Sequence, residues 1–138
     1  MTTSLLTTSL RPRLVVADAA AAIEFYTAAF GATELIRFTD DAGTTVHAEL
    51  TIGRAGFCLK DADDRDHDPI SLGGTAVLLS LRVPTTAAVD ATVDAAVQRG
   101  ATVIFAVADR DYGERDGRIA DPFGHLWLIG SPLHQPQV

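Results

Sequence analysis

The side chains in this sequence most suited to chemistry are a histidine and a carboxylate two residues apart. His47 and Glu49 lie in the strand-like segment 44–52. Because side chains alternate between the faces of a β-strand, both should point to the same side. Such a pair suits proton transfer or a divalent metal. With Tyr112 they are the candidate catalytic residues, and metal-free lyase or isomerase chemistry with Glu49 as general base stays open.

Other reactive groups are sparse. The single cysteine, Cys58, excludes an internal disulfide and is typical of a cytoplasmic protein. No base partner is evident for it, so we interpret it as a core residue of a strand. No glycine-rich phosphate loop follows a strand, which argues against nucleotide binding.

Charge and hydropathy narrow the class of partner. The net charge is −7 without a lysine or arginine cluster, which excludes nucleic acid and anionic membranes. No apolar stretch reaches the ~18 residues of a membrane helix. Residues 1–10 lack the basic head of a signal peptide and are interpreted as a flexible arm. We therefore expect a cytoplasmic protein whose partner is a small molecule or a second copy.

The chain repeats itself. Asp18 is a candidate cap for a helix that ends at Gly31, and a second helix begins near Thr85 and ends at Gly100, an offset of 100 − 31 = 69 residues. Each helix follows a short β-like run and precedes three strand-like runs, the first of which directly follows a shared Gly-Ala-Thr. We predict a duplicated βαβββ unit of the α+β class.

We expect residues 11–138 to form a single domain. Module one spans about 11–62 and module two about 75–131. The polar, turn-rich segment 61–74 is the predicted linker.

Several motifs resemble the vicinal oxygen chelate superfamily, which comprises glyoxalases, bleomycin resistance proteins and extradiol dioxygenases. The motifs are the segments 16–18, 22–26, 29–32 and 121–127. The segments 47–53 and 112–117 are similar to its PhnB-like branch. The resemblance implies two βαβββ modules whose curled mixed sheets form a half-barrel, usually closed across a homodimer. Metal-dependent members hold Fe, Mn, Ni or Zn with side chains from the first and last strand of each module, whereas antibiotic-binding members lack the metal.

The ligand positions implied by this resemblance are mostly filled by residues unable to bind a metal. Arg11 occupies the first position, seven residues before Asp18, and Glu49 matches the second, with His47 adjacent. The strand 75–83 offers no histidine or carboxylate, and the fourth position falls near Leu128.

We therefore expect no metal cofactor. The alternative is a divalent metal, Fe, Mn, Ni or Zn, held by Glu49 and His47. A different site that adds His125 also stays open.

Aromatic and arginine side chains remain as candidates for ligand binding. The segment 109–118 reads as a polar loop that would carry Tyr112 and Arg115 to the mouth of a cleft, where an arginine orients a carboxylate or phosphonate. The predicted ligand-binding residues are Trp127, Tyr112, Arg115, Phe57, Phe38, Arg11 and Arg13, with Phe105 also placed on a strand.

We expect a metal-free protein that binds an antibiotic-like, aromatic or peptidic small molecule, with a homodimer as its assembly. The alternative is a metal-dependent lyase, isomerase or dioxygenase that uses Glu49 and His47. Whether the protein is an enzyme is left open by the sequence.

Overall fold

The computed structural model describes residues 6–134 and contains the βαβββ unit twice. Module one consists of β1 (Arg13–Val16), α1 (Ala19–Phe30), β2 (Thr33–Thr39), β3 (Thr45–Ile52) and β4 (Ala55–Asp61). A short helix, α2 (Pro69–Leu72), leads to module two, which consists of β5 (Leu78–Arg82), α3 (Thr86–Gln98), β6 (Thr102–Asp109), β7 (Glu114–Ala120) and β8 (Leu126–Pro132). The predicted α+β fold is confirmed.

Each module forms a four-stranded mixed sheet of the same topology. Sheet one has the order β1-β4-β3-β2 and sheet two the order β5-β8-β7-β6. The first and last strands of each module pair in parallel, and the other neighbours are antiparallel. The described strands do not close into a barrel, since the two sheets share no strand pair.

Local signals place the helices where the sequence predicts them. The Asp18 carboxylate accepts a hydrogen bond of 3.1 Å from the amide of Ala21 at the start of α1. Gly31 ends that helix with φ of +71°, a left-handed conformation that favours glycine. The Thr85 hydroxyl accepts a bond of 3.1 Å from the amide of Ala88 and begins α3.

The two modules share one hydrophobic core. Each helix packs on its own sheet and the two helices also pack together, so each sheet has a helix-side face and an opposite, open face. Trp127, on the helix side of sheet two, lies 4.8 Å from Phe30 of α1 and 6.2 Å from Phe57 of sheet one, between ring centroids. The open faces therefore point away from the shared core.

A buried polar network lies inside this core. Tyr26 donates a hydrogen bond of 2.5 Å to Asp121 Oδ2, and Trp127 Nε1 donates one of 2.8 Å to the same oxygen. Asp121 thereby connects α1 of module one to the β7–β8 turn and β8 of module two.

The burial of the Tyr26 phenol beside Asp121 predicts that the protein loses stability at alkaline pH. Burial raises the pKa of its phenol well above the ordinary value of 10.0, and the nearby Asp121 carboxylate raises it further. The folded state thus favours the protonated phenol. The contribution of Tyr26 to the free energy of unfolding is therefore fully present below pH ~10 and decreases as the pH rises further. We expect the free energy of unfolding, measured in urea at pH 8 and 10.5, to fall more steeply for the wild type than for Tyr26→Phe; equal slopes would contradict this.

One segment differs from the sequence-based interpretation. Residues 109–118 are a hairpin and not a long loop, because the amide of Arg110 donates a bond of 2.7 Å to the carbonyl of Glu114 and closes a short turn between β6 and β7. Within the predicted linker 61–74, Asp63 and Asp66 each have a carboxylate oxygen 2.6 Å from Nζ of Lys60, and α2 follows them.

The predicted N-terminal arm is described only from residue 6. Residues 6–10 form no helix or strand, and the side chains of Leu6 and Leu10 are exposed. The rest of the predicted arm lies outside the described residues.

Candidate functional site

His47 and Glu49 meet on the open face of sheet one, as the alternation of β3 predicts. His47 Nε2 lies 3.5 Å from Glu49 Oε1, and the same oxygen lies 3.3 Å from Nη1 of Arg11. Both residues of the His–Glu pair are half-buried. The Glu49 carboxylate thus lies between a histidine ring and the guanidinium of Arg11.

Cys58 is buried in β4, as its interpretation as a core residue of a strand predicts, and it also lies beside His47 and Glu49. Its register opposite Glu49 places the thiol on the open face, and ligand atoms of His47, Glu49 and Cys58 lie within 4.8 Å of one another. The sequence contains the signal for this contact. A two-residue turn at Gly53-Arg54 pairs Ile52 with Ala55, and counting outward pairs Glu49 with Cys58.

These residues do not fit the four-ligand metal centre that the resemblance implies. Glu49 lies on the third strand of module one, whereas the expected ligands come from first and last strands. On the open face of sheet two, the facing positions of β5 and β8 hold Leu78, Ser80, Leu126 and Leu128. Among the described residues, module one therefore offers three metal donors, His47, Glu49 and Cys58. The strands β5 and β8 of module two offer no histidine, cysteine or carboxylate.

His125 lies apart from this cluster. Its Nε2 is 2.8 Å from the backbone carbonyl oxygen of Val15, across the junction between the modules. Because a carbonyl oxygen can only accept, Nε2 donates this bond and holds the β7–β8 turn against β1. His125 thus has a structural contact and does not complete a site with His47 and Glu49.

A cavity lies between the two sheets, at the edge of the shared core. Its volume is about 730 Å³. The inner wall is apolar and is formed by helix-side residues of both sheets: Leu14, Phe57, Leu79, Leu81 and Trp127. Three arginines also line it, namely Arg11, Arg54 and Arg82. An apolar cavity of this size with a few cationic groups is typical of small-molecule sites.

Three of the predicted ligand-binding residues line this cavity, namely Trp127, Phe57 and Arg11. Phe38 instead stacks on His47 on the open face of sheet one, with ring centroids 6.3 Å apart. Arg13 donates a hydrogen bond of 3.1 Å to the carbonyl of Val46. These last two do not line the cavity.

Tyr112 and Arg115 do not reach the cavity either. The alternation of β7 turns Arg115 to the helix side, where it donates two bonds of 2.9 Å to Asp90 of α3 and another of 2.9 Å to Asp109. Tyr112 is exposed and donates a bond of 2.6 Å to Asp116. The arginine that the sequence offers for a ligand carboxylate is thus occupied by carboxylates of the protein.

Sequence reasoning missed most of the cavity wall, including Leu14, Leu79, Leu81, Arg54 and Arg82. Leu79 and Leu81 alternate with polar residues in β5, a pattern that indicates a strand with one buried face. This alternation is the signal in the sequence from which both leucines could have been found.

No helix in the described part of the chain has the length and apolar character required to cross a membrane.

Comparison with known proteins agrees with the fold. An uncharacterized protein of Mycobacterium tuberculosis (strain ATCC 25618 / H37Rv) is 43% identical over 134 residues, which cover 92% of this chain and 76% of that protein. The crystal structure of a gene product from Arabidopsis thaliana matches with a TM-score of 0.72 and 25% identity, over 90% of this chain and 98% of that one. A PhnB protein from Bacillus cereus shares the fold with a TM-score of 0.73 at 18% identity, over 90% and 99% of the two chains.

A sequence model of one family covers nearly the whole duplicated unit. The model of the Glyoxalase/Bleomycin resistance protein/Dioxygenase superfamily matches residues 8–129. This range includes both helices and the candidate site residues. The chain belongs to the Glyoxalase/Bleomycin resistance protein/Dioxygenase superfamily.

Proposed function

We propose that this protein binds a small aromatic or peptidic molecule of the antibiotic-like kind in the cavity between its two sheets, without a metal. The observation that supports this is the cavity of about 730 Å³ with an apolar inner wall that includes Phe57 and Trp127. Pockets of ~300–1,000 Å³ suit ligands of drug size, and aromatic walls stack on flat rings.

The cavity arginines favour a ligand with a negative group. Arg11 is paired with Glu49, and Arg82 lies in a salt bridge with Glu114. Arg54 has no ion pair or side-chain hydrogen bond to the residues that the structure describes. Its planar fork is therefore available to a carboxylate at the mouth of the cavity.

The assembly we propose is a homodimer in the cytoplasm. The support for a dimer is apolar surface on one edge strand of each sheet. Leu35 is exposed on β2 of sheet one, and Val103 and Ile104 are exposed on β6 of sheet two. An edge strand presents unpaired backbone N–H and C=O groups to which a strand of another chain can pair. The net charge of −7 disfavours nucleic acid and anionic membranes as partners.

A metal-dependent lyase, isomerase or dioxygenase is the second candidate. Its support is the cluster of His47, Glu49 and Cys58, whose ligand atoms lie within 4.8 Å of one another. Three protein donors leave a position open for substrate, as in catalytic sites, and would hold Fe, Mn, Ni or Zn. The Arg11 guanidinium beside Glu49 opposes a bound cation and is the reason we rank this candidate second.

The fluorescence of Trp127 tests the binding function, because this is the only tryptophan in the chain and it lines the cavity. We expect saturable quenching by members of a panel of planar antibiotics and aromatic carboxylic acids. Arg54→Gln should weaken binding of the acids by about two- to fivefold, the contribution of an exposed ion pair, and leave their neutral amides unchanged.

Arg65→Gln is the matched control, since Arg65 is an exposed arginine of the linker outside the cavity lining. A panel that leaves Trp127 fluorescence unchanged throughout would contradict the proposed function.

A further inference from the structure

Arg118 stands out among the cations that are not fully exposed. Of the described lysines and arginines, four are buried or half-buried: Lys60, Arg110, Arg115 and Arg118. Lys60 is bound by two carboxylates, and so is Arg115. Arg110 is bound by Asp116 and by backbone carbonyls. Arg118 has none of these partners in the described chain, and its Nε is buried without a hydrogen bond.

The missing partner is notable because carboxylates are in excess in this chain, 18 against 11 lysines and arginines. The internal repeat allows Arg118 to be compared with the equivalent residue of module one. Arg118 occupies the position of Glu49 in module one, since 118 − 49 = 69, and their neighbours Phe105 and Ile36 are also 105 − 36 = 69 residues apart. Glu49 is paired with Arg11, whereas its counterpart in module two is unpaired.

The surroundings of Arg118 form a small recess on the open face of sheet two. Its guanidinium lies 5.0 Å from the ring centroid of Phe105, and Leu128 lies beside it on β8. The recess has a volume of about 280 Å³ and is completed by Arg110, Tyr112 and Asp116.

The charges of the recess favour a single negative group. Asp116 is buried, and its two oxygens accept bonds of 2.9 Å from Arg110 and 2.6 Å from Tyr112. This carboxylate is therefore occupied, and the two arginines with one aspartate leave one positive charge. A ring that lies over one face of a guanidinium does not occupy its terminal N–H groups, which can donate to an anion.

We propose that Arg118, supported by the ring of Phe105, binds the carboxylate of a small organic anion whose apolar part contacts Phe105 and Leu128. The carboxylate accepts hydrogen bonds from the guanidinium, and the unsatisfied charge of the recess is neutralised. This site shares no lining residue with the cavity that contains Trp127. The two proposals therefore succeed or fail separately.

The test is a titration of the full chain with benzoate, followed through the Nε–Hε signal of Arg118 in ¹H–¹⁵N spectra. We expect a saturable shift with benzoate and none with benzamide, which has the same shape without the charge. Arg118→Gln should weaken benzoate binding about ten- to hundredfold, as expected for hydrogen bonds to a charged group. Phe105→Leu, which retains the charge, should weaken it about two- to tenfold.

Arg99→Gln is the control of equal charge change, since Arg99 is exposed and outside the recess. Backbone amide spectra establish that each variant is folded, and Trp127 fluorescence follows the cavity independently. The proposal is overturned if wild-type protein does not bind benzoate, if benzamide binds equally, or if Arg118→Gln leaves the affinity unchanged. It is also overturned if Arg118→Gln only dissociates a dimer, because Arg118 would then contact a second copy.

Discussion

Replacement of Asp121 by alanine is expected to lower the free energy of unfolding by about 2–6 kcal/mol, because two buried side-chain donors each lose their acceptor. Asp121 is only 4% exposed. Its Oδ2 accepts the bonds from Tyr26 and Trp127 described above, and its Oδ1 accepts bonds of 2.9 Å and 3.0 Å from the amides of Phe123 and His125.

The loss is large because the alanine variant leaves buried donors without an acceptor. The phenol of Tyr26 and the indole of Trp127 would each remain in the core unpaired, at a cost of about 1–3 kcal/mol apiece. The β7–β8 turn would also lose the bonds that fix it. Asp121→Asn should have an intermediate effect, since its amide group presents a donor where the aspartate has only acceptors.

Urea denaturation followed by circular dichroism measures both variants. Asp111→Ala is the control, because Asp111 is exposed in the β6–β7 turn, and we expect it to change the free energy of unfolding by less than about 0.5 kcal/mol. If Asp121→Ala costs no more than Asp111→Ala, the network does not join the two modules as described.

The second large effect is on ligand binding. Ala55→Phe should weaken binding of a Trp127-quenching ligand by at least about tenfold, because a ligand displaced from part of its apolar contact loses ~1.5–3 kcal/mol. Ala55 is an exposed residue at the start of β4 that lines the cavity. A phenyl group there fills part of the cavity from the solvent side, without inserting volume into the core.

The ligand affinity is measured by the fluorescence titration and the stability by urea denaturation. Ala42→Phe is the matched control, since Ala42 is exposed in the β2–β3 turn and does not line the cavity. We expect both variants to be as stable as the wild type within about 0.5 kcal/mol. Equal affinities of the two variants for the ligand would place the binding site elsewhere.

The fold was predictable because its signals are local and occur twice. A capping side chain and a terminal glycine determine where α1 begins and ends, and each depends on neighbours within one turn. The offset of 69 residues between Gly31 and Gly100 then carries the same pattern into module two. The same order of local signals in both halves is stronger evidence for the fold than the signals of either half alone.

The orientation of single side chains was less predictable. Arg115 and Arg118 lie on opposite faces of β7, a distinction that depends on where the strand begins. A loop at 109–118 would have no alternation of faces. The sequence therefore predicted Arg115, and not Arg118, as a ligand-binding residue. Which of the two arginines faces the helices depends on the start of β7 at Glu114, which the sequence did not reveal.

The cavity could not have been predicted from the sequence. Leu14 and Phe57 come from β1 and β4, and Leu79 and Leu81 come from β5 of the other module. Their proximity depends on how α1 packs against Trp127, which is a tertiary contact without a local signal. Sequence alone identified two aromatic wall residues but not the partners that enclose them.

The central claim is that the cavity binds its ligand without a metal, and the most direct measurement is the Trp127 titration on protein treated with a chelator and then dialysed. We predict the same dissociation constant before treatment, after treatment and after addition of Zn²⁺ or Mn²⁺, and the same value for Glu49→Ala. Binding that disappears with the chelator, returns with one of these metals and is absent in Glu49→Ala would contradict the claim and support the metal-dependent alternative.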